Sequence, residues 1–88
     1  MNHHDFIAIT SGCELIASAF GDEALQIYVN RDGAYIAARI VKPTLDEPQN
    51  NYAAAVCADV IDVIEFFGDG KLAMELYAAA DKALGLAD

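Results

Sequence analysis

Three carboxylates, Asp59, Asp62 and Glu65, recur at every third position between Asn51 and Gly68 and are the side chains of this sequence most suggestive of chemistry. Carboxylates can work as general acid and base, but these three have no nucleophile or orienting partner nearby in sequence, and their spacing drifts around a helix. A row of acids without a reacting group is a charged surface. On a helix its members rise about 4.5 Å per step, near the ~3.4 Å per phosphate of one DNA strand, so the row imitates a nucleic-acid backbone roughly. No Lys or Arg interrupts it, Asp69 extends it, and Phe66 falls between Asp59 and Asp62 on the helical wheel. A solvated helix face is the ordinary reading of such a stripe. The single sign of charge and the aromatic ring favour contact with a basic protein.

The remaining reactive residue types offer less. His3 and His4 are adjacent and cannot share a helix face, and Cys13 and Cys57 are isolated, so the ligand sets of structural zinc sites are missing. Both cysteines are expected as free, reduced thiols. Asn30-Arg31-Asp32-Gly33 lacks the further acidic ligands of a calcium loop and reads as a hairpin turn. Gly68-Asp69-Gly70 reads as a helix break. The expectation is a protein with no metal, no cofactor and no catalytic site. A second candidate contact consists of Tyr28, Tyr35 and Arg39, residue types favoured at protein interfaces and placed by strand alternation on an outer sheet face. The competing reading is that another strand or a dimer mate packs over them.

These residues need a scaffold, and 88 residues supply one domain. Apolar content of 56% excludes disorder, while 17 alanines build a core from small side chains. A formal charge of -9 repels nucleic acid and anionic membranes and steers the chain toward basic proteins. Without a secretion signal or a long apolar run, a soluble cytoplasmic protein is expected.

Phe6–Thr10 is expected as a first strand. Residues 11–20 are open between a capped helix, with Ser11 and Glu14 at capping-box spacing, and a second strand, the strand being preferred. The segments 25–29 and 34–41 alternate around the Asn30–Gly33 turn and form a hairpin. Burial of one face sets its expected register: Val29 opposite Ala34, Ile27 opposite Ile36, Leu25 opposite Ala38, and Tyr28 stacked on Tyr35 outside. A Pro43–Pro48 connector leads to a helix capped by Asn50 or Asn51 and ending at Gly68, with Ala53, Val56, Val60, Val63, Ile64 and Phe67 inward. A second helix, capped by Asp69, runs to about Leu84, with Leu72, Leu76, Ala79, Ala80 and Ala83 inward and Gly85 beyond its end.

The expected fold is α+β, a two-layer sandwich with a three- to four-stranded antiparallel sheet followed by two C-terminal helices, packed on the face of Leu25, Ile27, Ile36, Ala38 and Ile40. In size, acidity and strand-strand-helix order the chain resembles the small phage-encoded inhibitor proteins, anti-CRISPR proteins among them. The segment Ile27-Tyr-Val-Asn-Arg-Asp-Gly-Ala-Tyr-Ile36 looks like the central hairpin of several such inhibitors. The resemblance implies a non-enzymatic blocker, acting in the host cytoplasm, that occupies a basic nucleic-acid or guide-binding surface of a bacterial defence complex such as a CRISPR effector subunit. A structural module that dimerises through its open sheet face is the alternative. Salt separates the two, since carboxylate-driven affinity falls with ionic strength and tyrosine-driven association does not.

Overall fold

A computed structural model of the chain describes residues 2–41 and 51–85, so the Pro43–Pro48 connector and Asn50 lie outside the described residues. The elements run α1 (His3–Thr10), β1 (Glu14–Phe20), β2 (Glu23–Val29), β3 (Tyr35–Val41), β4 (Tyr52–Cys57), α2 (Val60–Phe67) and α3 (Lys71–Ala83). The strands form one antiparallel sheet in chain order, β1-β2-β3-β4, and two helices follow it. The α+β class and the C-terminal helix pair therefore agree with expectation. Strand β1 also follows the preferred reading of residues 11–20.

Two elements differ from the sequence pattern. Residues 6–10 are helical, because Asn2 caps the turn by accepting the Asp5 N–H at 2.9 Å and Phe6 is buried against the Tyr28 and Tyr52 rings. A branched, aromatic run has been overridden by a cap and a tertiary contact. The stretch 51–67 is two elements. Tyr52–Cys57 pairs along the free edge of β3, from Ile40 opposite Tyr52 to Tyr35 opposite Cys57, and only then does α2 begin. The alanines of this segment favour a helix, but ladder hydrogen bonds to β3 outweigh that local preference. Asn51 is consequently no helix cap: its side-chain amide donates to the Val41 carbonyl and its own carbonyl accepts the Val41 N–H.

The central hairpin is offset by one residue from the expected pairing. Val29 stands opposite Tyr35, Tyr28 opposite Ile36, Ile27 opposite Ala37 and Leu25 opposite Arg39. The turn causes this. Asn30 donates its N–H to the Ala34 carbonyl across the loop, its Oδ1 accepts the N–H groups of Asp32 and Ala34 at 2.9 and 3.0 Å, and Gly33 adopts φ +85°, which together make a three-residue loop closed by a left-handed glycine. Tyr35, Ala37 and Arg39 thus share a face with Leu25 and Ile27, whereas Ile36, Ala38 and Ile40 turn to the other. The expected register assumed that only one face is buried, yet both faces carry buried residues.

On the first face α3 covers β1 and β2 and α2 covers β3 and β4. Ala17, Ala19, Leu25, Ile27, Ala37 and Cys57 meet Val63 and Phe67 of α2 and Ala73, Leu76 and Ala80 of α3. Alanines on both layers let the helices approach the sheet closely, so a small chain still closes its core. Ala79 and Ala83, expected inward, are exposed. On the second face α1 contributes Phe6, and Ile36 and Ala38 are buried there.

Candidate interaction surface

Two carboxylates bind backbone N–H groups at the start of helix α2. Asp59 Oδ1 accepts the Asp62 N–H at 3.0 Å, and Asp62 Oδ2 accepts the Ala58 N–H at 3.3 Å. Both carboxylates therefore satisfy backbone donors and sit at the positive end of the helix dipole while remaining exposed to solvent. Glu65 is exposed one turn further on, and Asp69 is exposed in the α2–α3 link. All four acids of the expected stripe are exposed, but two of them also hold the helix start.

Phe66 is not an exposed ring among the acids. It is half-buried against the core, edge-on to Phe67 with ring centres 5.0 Å apart, and lies under the Arg39 guanidinium at 5.8 Å. Arg39 Nε stands 3.1 Å from Glu23 Oε1, an ion pair whose approach misses the N–H direction, so this buried Nε makes no hydrogen bond. Arg39 and Tyr35 belong to the helix-covered face, and Tyr28 belongs to the opposite one. There Tyr28 packs edge-on to Phe6 and donates to Gln26 Oε1 at 2.7 Å. The expected outer-face trio of Tyr28, Tyr35 and Arg39 is split between two faces and forms no common surface.

The exposed apolar side chains of α2 take the place expected of Phe66. Only Val63 and Phe67 are buried, while Val60, Ile61 and Ile64 are 52%, 66% and 43% exposed. Val56, expected inward, is exposed on β4. Once residues 52–57 are given to a strand the helix is too short for the wheel drawn over 51–67, and its inward direction rotates toward Val63 and Phe67. That rotation exposes Val60 and Ile64. The signal available in the sequence was the density of apolar residues in Val60–Phe67, six of eight, which exceeds what one buried face can absorb.

The end of α2 is held from α3. Gly68, at φ +82°, returns its N–H to the Ile64 carbonyl at 2.7 Å, and the Tyr77 hydroxyl donates to the Gly68 carbonyl at 2.6 Å. Burial pushes the Tyr77 phenol up, with Asp69 adding to the shift and Arg39 opposing it. An apolar groove of about 150 Å³ opens beside this contact, between α2 and α3, with Val60, Ile64, Tyr35, Tyr77 and Leu84 among its walls.

In comparisons with protein-family models, curated proteins and solved structures, nothing matches the chain. The site must therefore be read from its own geometry. His3 Nδ1 lies 2.8 Å from the Tyr52 hydroxyl, and no three metal-ligating side chains come together among the described residues. Cys13 and Cys57 are unbridged. Burial raises the Cys57 thiol, as do Asp62 and Asp59, which outweighs the lowering effect of a backbone hydrogen bond at Ala37. A thiol so placed stays protonated at neutral pH and is a poor nucleophile. Among the described residues no helix is long and apolar enough to cross a membrane.

Proposed function

We propose that the chain is a non-enzymatic, acidic protein-binding inhibitor whose α2 docks on a basic, nucleic-acid-binding protein surface. One observation carries this reading: Val60, Ile61 and Ile64 stand exposed beside Asp59, Asp62 and Glu65, in a stretch with no Lys or Arg between Lys42 and Lys71. Exposed aliphatics supply desolvation energy at a contact, and a single-sign rim supplies orientation and encounter rate. The resemblance to small phage-encoded inhibitors makes a bacterial defence complex, such as a CRISPR effector subunit, the partner of choice.

The second reading, a homodimer through the α1-covered sheet face, has its own support in Phe20, which is 72% exposed on edge strand β1. Mutual repulsion of two copies at -9 each opposes it. Capture from a bacterial lysate at low and high salt, followed by a nucleic-acid competition assay on whatever is retained, tests the first reading. The expected result is a retained protein that is lost at high salt and whose bound nucleic acid is displaced by the chain. Retention that ignores salt and vanishes with Phe20→Ala would favour the sheet face.

A further inference from the structure

We infer that the groove between α2 and α3 receives one large apolar side chain of a Lys- or Arg-flanked segment of the partner; this rests on the α2 reading above and gives it an anchor. The volume, about 150 Å³, is that of a cavity able to hold a benzene-sized group. Its walls are apolar: Val60 and Ile64 stand one turn apart on α2, Leu84 faces them from the end of α3, and Tyr35 and Tyr77 line it. Tyr77 is already spent on the Gly68 carbonyl, which holds its ring in place.

The rim identifies the occupant. Val60, Ile64 and Leu84 all remain substantially exposed, so a free benzene-sized molecule would fill the groove and leave its rim wet. A polypeptide crossing it would cover both. The charged side chain lining the groove is the carboxylate of Asp81, and every charged residue of α2 and its cap is acidic. Flanking Lys or Arg would therefore be attracted and flanking Asp or Glu repelled. A second copy of this chain fits poorly, because it would bring its own net charge of -9 to an acidic rim.

The probes are three peptides: Lys-Lys-Ser-Phe-Ser-Lys-Lys, the same peptide with Ala for Phe, and Glu-Glu-Ser-Phe-Ser-Glu-Glu, each titrated into isotope-labelled protein and followed by amide chemical shifts. The cationic Phe peptide is expected to move the amides of Val60, Ile64, Ala80 and Leu84 and to bind about tenfold more tightly than its Ala counterpart. The acidic peptide is expected not to bind. Ile64→Ala and Leu84→Ala, both at exposed positions and checked for fold by their own spectra, should bring the Phe peptide down to the Ala peptide. Glu65→Lys should weaken both cationic peptides alike. Equal, salt-sensitive binding of the two cationic peptides would overturn the groove while leaving the acidic surface standing. Shifts mapped away from the groove would overturn it as well. Binding of the acidic peptide as well as the cationic one, or of no cationic peptide at all, would overturn both.

Discussion

At the scale of single residues, the described acids do unequal work. Asp59→Ala removes the α2 cap and should cost about 1 kcal/mol in thermal or urea unfolding. Glu65→Ala, at an exposed position without a cap, should stay within about 0.5 kcal/mol. This contrast makes Glu65 the better place to reverse charge when binding is measured, because Lys at Asp59 or Asp62 would loosen the helix too. A second contrast concerns the core. Leu76→Ala, fully buried on α3, should cost about 2–5 kcal/mol, whereas Val60→Asp, at a position the sequence pattern placed inward, falls on an exposed residue and should leave the fold intact. The raised groups fix a pH dependence. Cys57, Tyr28 and Tyr77 hold their protons more tightly folded than unfolded, chiefly through burial. Their contribution is complete below the unfolded thiol and phenol pKa values and is lost as pH rises through the folded ones. Urea midpoints should accordingly fall as pH climbs past the ordinary thiol range into the phenol range, and Cys57→Ser should flatten the first part of that fall.

At the scale of elements, the hairpin shows what a sequence carries and what it omits. Alternation in 25–29 and 34–41 announced two strands correctly, and the Asn30–Gly33 turn was plain, but the register hung on whether Asn30 pairs with Ala34. That is decided by the loop conformation of Gly33, which residue types alone leave open. Gly33→Ala should cost about 1 kcal/mol through left-handed strain, visible in melting and in faster amide exchange at Asn30 and Ala34. Helix α3, with Gly85 after it, was legible because it is long and amphipathic, although its N-cap is Gly70, without a side-chain cap, and not Asp69. Strand β4 was not, since Tyr-Ala-Ala-Ala-Val-Cys gains its strand form only from β3 beside it. Nor was α1, whose cap is Asn2 and whose docking depends on Tyr28 and Tyr52. The same errors hid the candidate surface: drawing one helix over 51–67 buried Val60 and Ile64 on paper and exposed Phe66. Acidity was read correctly because charge needs no fold.

At the scale of the whole molecule, a net charge of -9 combines with aliphatic residues left bare on an acidic helix. Counterion release cannot drive such a chain onto duplex DNA, so an electrophoretic shift of DNA at physiological salt is expected to be absent. The central claim is that α2 is the contact. The most direct test is calorimetric titration of the captured basic partner with wild-type chain and with Ile61→Ala, Glu65→Lys and Phe20→Ala, each at two salt concentrations. Ile61→Ala and Glu65→Lys should each weaken binding by about tenfold, the Glu65 effect shrinking at high salt, while Phe20→Ala leaves it unchanged. Full affinity in both α2 variants together with loss in Phe20→Ala would contradict the claim and move the contact to the sheet.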